Sequence, residues 1–187
     1  MRRDRAALLA RYDFPLDPFQ LQAIDALDGG QSVLVAAPTG SGKTVVAEYA
    51  VAVALSEGQR AFYTAPIKAL SNQKFHDLRA IHGAERVGLL TGDNAINGDA
   101  PIVVMTTEVL RNMIYGHSPA LVGLGFVVLD EVHFLQDTYR GPVTAHATSV
   151  PCGGGQAVLE AQAAPTAGLA AFARWRLTSQ PMRMAIS

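Results

Sequence analysis

The chain has 187 residues, of which 49% are hydrophobic and 17% charged, with a formal net charge of −1. That length fits one domain, or one domain with a tail, and the apolar share suffices to bury a core, which excludes disordered polyelectrolytes and collagen-like or histone-like chains. With so little net charge, any nucleic-acid binding has to rest on a local groove of placed donors rather than on bulk positive charge.

In chain order, Met1-Arg2-Arg3-Asp4-Arg5 is basic, but the apolar run behind it, Ala6 to Ala10, ends at Arg11 and is too short for a signal-peptide core. Gln31 to Ala37 is a β-branched apolar run followed by Pro and Gly, as a buried strand would be. Lys43 to Ser56 lacks Gly and Pro and stops before Gly58, which predicts a helix. Tyr49 to Leu55 within it is about a third of the roughly 20 residues a bilayer crossing needs, so no membrane span is expected. Arg60 to Ala65 reads as a second strand and Ile67 to Ala80 as a second helix. Arg86 to Leu90, Ile102 to Met105 and Phe126 to Leu129 are three more strands, with a short helix over Glu108 to Tyr115 before the last. Strands interleaved with helices predict an α/β domain, a mostly parallel sheet with helices on both faces, and a site in the loops at the strand ends.

From Thr144 onward the composition changes. The charged residues are reduced to Glu160, Arg174, Arg176 and Arg183, and Gly153-Gly154-Gly155 sits in an Ala-rich stretch punctuated by Pro. No strand is expected there, and a short helix over Gly168 to Leu177 is the one element read. The chain therefore divides into a domain over 1–143 and an irregular Ala/Gly-rich tail over 144–187. Cys152 is the single cysteine. It can form neither an internal disulfide nor, alone, a zinc site, so a reducing, cytoplasmic setting is the expectation.

Two segments carry chemistry. Ala37-Pro38-Thr39-Gly40-Ser41-Gly42-Lys43-Thr44 follows a predicted strand and opens a predicted helix, the context a phosphate loop requires. Gly40 and Gly42 let the backbone curl so that its N–H groups face phosphate oxygens, with the helix dipole adding to the pull. Lys43 would bridge the β- and γ-phosphates and the Thr44 hydroxyl would ligate Mg²⁺. Phe126-Val127-Val128-Leu129-Asp130-Glu131-Val132-His133 delivers two carboxylates at the C-terminal end of a strand. Asp130 there can hold the metal through water, and Glu131 can orient and deprotonate the water that attacks the γ-phosphate. An acidic pair alone is more often a solvated strand end; its pairing with the phosphate loop favours the catalytic reading.

With these residues in hand, the sequence resembles the superfamily-two helicases of the DExH type, and more narrowly the Ski-like RNA helicases. Asp130-Glu131-Val132-His133 matches that family's second motif, with His133 in the coupling position, and Ala37 in place of Gly at the head of the phosphate loop is a common helicase variation. Phe14-Pro15-Leu16-Asp17-Pro18-Phe19-Gln20 matches the adenine-side motif, in which Gln20 would read the adenine edge and an aromatic, Phe14, would pack on the ring. Ala65 to Lys74 matches motif Ia, and Leu89-Leu90-Thr91-Gly92-Asp93 and Thr106-Thr107-Glu108-Val109-Leu110-Arg111 match the strand-binding motifs that follow. The resemblance implies a RecA-like P-loop NTPase domain that binds ATP, Mg²⁺ and single-stranded RNA. The strand would lie along Pro66, Lys68, Ala69, Thr91, Gly92, Thr106, Thr107 and Arg111. Single-stranded DNA is the other candidate, because such groove contacts touch backbone rather than bases.

The motif match runs from about Leu8 to Val143. Family members go on to a Ser-Ala-Thr motif and a second RecA-like domain with arginine fingers, which this chain would have to obtain from another chain. Ala147-Thr148-Ser149 is no substitute for the former, and Arg174-Trp175-Arg176 lacks the glycine spacing of the latter. The tail reads as off-frame translation of GC-rich DNA, with a genuine lineage-specific tail as the other reading. Since such fingers contribute on the order of 10³ to 10⁵ in rate in related enzymes, the chain alone is expected to be a feeble ATPase. The alternatives are a non-enzymatic nucleotide- or RNA-binding module and an inactive truncated fragment. On the bland side, Ile67 to Ala80 is also readable as an amphipathic surface helix, and Thr106-Thr107-Glu108 as a helix N-cap with an acidic first turn.

Overall fold

The computed structural model describes residues 5–38, 40–130, 156–162 and 183–186. Five helices are seen among them: α1 (Arg5–Leu9), α2 (Pro18–Asp28), α3 (Thr44–Ser56), α4 (Lys68–His82) and α5 (Thr107–Tyr115). The strands are β1 (Val33–Ala37), β2 (Arg60–Ala65), β3 (Val87–Leu90), β4 (Ala95–Ile96), β5 (Ile102–Thr106), β6 (Leu124–Leu129), β7 (Gln156–Gln162) and β8 (Arg183–Ile186). They form one eight-stranded sheet in the order β4-β3-β5-β2-β6-β7-β1-β8. The pairings are parallel except β3 with β4, a short antiparallel edge.

The strand limits follow from composition. β1 (VLVAA) and β5 (IVVMT) are buried at every residue, as strands covered on both faces must be. The placement of helices follows from connection handedness. From β1 to β2 and from β2 to β3 the chain moves one way across the sheet, and from β5 to β6 it moves back. Right-handed crossovers then put α3 and α4 on one face and α5 on the other. The two cores agree with this. Ala23, Ile24 and Leu27 of α2, Val46, Tyr49 and Val53 of α3, and Phe75 and Leu78 of α4 pack with Val35, Tyr63, Val104 and Val128. Leu110 of α5 packs with Leu34, Phe62, Met105, Val127 and Leu129 on the opposite face.

All five strands and three helices expected upstream of Val143 are present, with ends that differ by at most two residues. The adenine-side motif lies across the start of α2, a helix the sequence reading did not name. The C-terminal segment requires a correction: instead of holding no strand, it contributes β7 and β8. β7 lies between β6 and β1, with Leu159 in register with Leu129 on one side and Leu34 on the other. β8 pairs with the far side of β1. The reason is tertiary. β1 and β6 both present open backbone edges to the same gap, and even the short apolar run Ala157-Val158-Leu159 satisfies them when inserted there. A sheet that stops after β6 would leave β1 detached. The helix expected over Gly168 to Leu177 lies outside the described residues. No helix among those described is long and apolar enough to cross a membrane.

Candidate nucleotide site and nucleic-acid groove

The phosphate loop joins the C-terminal end of β1 to the N-terminus of α3. Gly40 and Gly42 have φ of 82° and 79°, while Ser41 between them does not share the positive φ. That alternation turns successive N–H groups toward one side and builds an anion-binding concavity at a helix N-terminus. Gly42 is required twice over: besides its φ, an added Cβ would stand 2.7 Å from Gln20 Nε2. The Ser41 hydroxyl donates to the Pro38 carbonyl at 2.7 Å. Lys43 Nζ donates to the carbonyls of Ala37 and Pro38 at 2.7 and 2.8 Å, which holds the ammonium across the mouth of the loop. Thr44 is the first residue of α3. Thr39 lies outside the described residues.

Gln20, 2% exposed, sits beneath the loop. Its Nε2 donates to the Gly42 carbonyl at 2.9 Å and its Oε1 accepts from the Asp17 backbone N–H at 2.8 Å. Expected to read adenine, its amide in this structure joins the start of α2 to the phosphate loop. Phe14 is 53% exposed and meets Tyr12 at 5.7 Å between ring centroids. The Tyr12 hydroxyl donates to the Val45 carbonyl in the first turn of α3, and burial pushes its pKa up to about 12. Tyr12, absent from the sequence reading, thus braces the exposed Phe14 ring beside the loop; an aromatic two residues from Phe14 was the available clue.

Asp130 follows β6, and its backbone N–H donates to the Thr64 carbonyl of β2 at 3.0 Å, so the β2–β6 ladder runs up to the carboxylate. With β7 as the one strand between β6 and β1, Asp130 and the phosphate loop follow the C-terminal ends of parallel strands two spacings, about 10 Å, apart. Tyr63 Oη donates to Asp130 Oδ2 at 3.0 Å, a contact the sequence reading missed. Glu131 and His133 lie outside the described residues.

The groove residues gather at the same end of the sheet. Lys68 and Ala69 open α4 and Pro66 precedes its N-cap, Ile67; the Ser71 hydroxyl of α4 reaches the Met105 carbonyl of β5 at 3.3 Å and ties the helix to the strand that leads into α5. Lys68 Nζ pairs with Asp93 Oδ1 at 2.9 Å, and Thr91 Oγ1 donates to the same carboxylate at 3.0 Å. These two contacts hold the Asp93 carboxyl below its ordinary range. Gly92 is exposed beside them. Thr106 and Thr107 are only 8% and 5% exposed, so both residues are largely covered where β5 passes into α5. Thr106 is the N-cap of α5 without a side-chain capping bond, and Arg111 stands 3.8 Å from Glu108 one turn away. Among the described residues named from the sequence, Gln20 and Lys43 are thus bonded to the phosphate loop's backbone, and Lys68 and Thr91 meet at the Asp93 carboxylate.

Comparison with known proteins identifies the family. The DEAD/DEAH box helicase family model matches residues 17–161, past the Val143 at which the recognisable motifs end. The chain is 63% identical over 134 residues to the protein named probable helicase HelY of Mycobacterium tuberculosis, covering 72% of this chain and 15% of that one. It is 51% identical over 132 residues to the exosome RNA helicase MTR4 of Homo sapiens, covering 71% and 12% respectively. Among solved structures, the Mycobacterium smegmatis helicase Lhr bound to ssDNA and AMP-PNP superposes with a TM-score of 0.73 at 25% identity, covering 98% of this chain and 27% of that one. The chain thus spans about 15% of the length of the mycobacterial relative it matches. On the phosphate loop, the Asp130-bearing strand and these matches, the chain belongs to the DEAD/DEAH box helicase family.

Proposed function

We propose that this chain is the ATP-binding RecA-like domain of an ATP-dependent RNA helicase, taking ATP with Mg²⁺ and single-stranded nucleic acid. One observation carries the reading: the left-handed glycines of the phosphate loop stand at the start of α3, one strand removed from the Asp130 carboxylate. The Thr44 hydroxyl and Asp130 are hard oxygen donors suited to Mg²⁺, and no cluster of three His, Cys, Asp or Glu exists among the described residues. That fits an ion held by one or two protein groups and by phosphate oxygens rather than by a protein cage. When bound, Mg²⁺ would neutralise charge developing on the β- and γ-phosphates.

The backbone N–H groups of Gly40 to Lys43 would cradle the phosphates, and Lys43 would exchange its two carbonyl bonds for phosphate oxygens. Glu131 would accept the proton of the attacking water, and His133 would relay the outcome to the rest of the motor. Phe14, braced by Tyr12, would stack on the adenine, while Gln20 would report adenine binding to Gly42. A single strand would run over Pro66, Lys68, Ala69, Thr91, Gly92, Thr106, Thr107 and Arg111, read through its backbone and hence as RNA or DNA. The cytoplasm is the setting this reading assumes.

The full 187-residue chain should bind a fluorescent ATP analogue with Mg²⁺, and Lys43→Ala should weaken that binding about tenfold to a hundredfold, the range of a lost charge-assisted bond. Turnover by the chain alone should be slow, because arginines from a second RecA-like domain would have to complete the site. Analogue binding that survives Lys43→Ala would overturn the site. Robust RNA-stimulated hydrolysis would overturn the dependence on a second domain.

A further inference from the structure

Tyr63 belongs to none of the motifs by which the family is recognised here, yet its hydroxyl reaches the one described carboxylate of the nucleotide site. The sheet explains how. β2 and β6 pair in parallel with Tyr63 opposite Val128. Continuing that register puts Asp130 two residues further along and on the same face as Tyr63, a diagonal neighbour that only a long side chain can touch. The ring is 1% exposed and packs in the core with α3 and α4 residues, so its position is held by the domain interior. Lys74 of α4 stands with Nζ 5.7 Å from the ring centroid. A cation over a phenol ring draws density from it and favours the hydroxyl as a donor. The contact of Tyr63 Oη with Asp130 Oδ2 at 3.0 Å thus has a donor fixed in the core and an acceptor just past the C-terminal end of β6.

We infer that Tyr63 is a positioning residue for Asp130, holding one carboxylate oxygen so that the group's orientation toward a nucleotide-bound Mg²⁺ is set by the buried core. This rests on the proposed ATP–Mg²⁺ site. Hydroxyls and amides that hold metal-binding carboxylates in other proteins typically contribute 10- to 100-fold in metal affinity.

The test is a Mg²⁺ titration of fluorescent ATP-analogue binding to the full chain, starting in excess chelator. In Tyr63→Phe the half-saturating Mg²⁺ concentration should rise about tenfold while analogue affinity without Mg²⁺ stays at the wild-type value. In an Asp130→Asn background the same substitution should produce no further shift. An unchanged Mg²⁺ midpoint in Tyr63→Phe overturns the inference, as does a full additional shift in the Asp130→Asn background. A Tyr63→Phe chain without a folded circular dichroism spectrum overturns it as well, because the hydroxyl would then be a structural requirement. If instead the wild-type chain fails to bind the analogue, or binds it without regard to Mg²⁺, the proposed nucleotide site itself falls and this inference with it.

Discussion

The two halves of the functional edge are built differently. Around the phosphate loop, contacts are made by buried or backbone groups: Gln20 at 2% exposure bonds to Gly42, Lys43 to two carbonyls, and Tyr63 from within the core to Asp130. In the groove, the Lys68–Asp93 pair has side chains 56% and 70% exposed, and Arg111 faces Glu108 at the longer distance of 3.8 Å. Groups fixed by the interior hold a geometry that does not relax with salt or solvent, whereas exposed ion pairs contribute little and exchange partners readily. The proposed nucleotide site, which would present fixed donors to phosphates, belongs with the first kind. The proposed groove, which would accept and release a strand of any sequence, belongs with the second.

The comparison can be broken most severely at β7, since the nucleotide half depends on β1 and β6 being spaced by that strand. Leu159→Pro removes a backbone donor between two strands, which a central position does not tolerate. It should cost at least about 3 kcal/mol and lower the melting transition by about 10 °C or abolish it. Ile96→Pro in the exposed, two-residue edge strand β4 should shift it far less. Equal effects in circular dichroism melts would mean that β7 does not hold β1 to the sheet.

Next in size is Gly42→Ala, which forces a side chain into φ of +79° with its Cβ 2.7 Å from Gln20 Nε2. Strain of this kind costs about 1 to 3 kcal/mol. Denaturant unfolding should show that loss, together with weakened ATP-analogue binding. Undiminished stability and affinity would show that the loop is not held by the core.

The smallest effect belongs to the groove. Asp93→Asn removes the carboxylate beside Lys68 and frees that ammonium for phosphate, so binding of single-stranded RNA should tighten about twofold to threefold at low salt, with a steeper salt dependence. The melting temperature should not move, because both side chains are largely exposed. Fluorescence anisotropy across a salt series reads this, and weaker RNA binding would mean that the carboxylate orders the groove rather than competing in it.

Much of this was legible from the sequence because it depends on local rules. β2 spans Arg60–Ala65, as the apolar run between Gln59 and Pro66 indicates, and the phosphate loop announces itself by its glycine spacing between a strand and a helix. Less visible were contacts whose partners are far apart in the chain. Tyr63 reads as one more strand aromatic until β2 is seen beside β6, and Asp93 as a loop residue until the start of α4 is placed over it. β7, with its apolar run of three residues flanked by polar ones, carries too little periodicity to be recognised as a strand at all.

By itself, then, the sequence determined the alternation of strands and helices up to β6, the phosphate loop and the acidic strand end, since apolar runs, glycine dihedrals and strand-to-helix junctions are set by neighbours a few residues apart. Tertiary structure decided the strand order, the insertion of β7 between β1 and β6, and the reach of Tyr63 across 67 residues of chain to Asp130. Those features come from closing open strand edges and from side-chain register between paired strands, and no local pattern of residues encodes which edges meet.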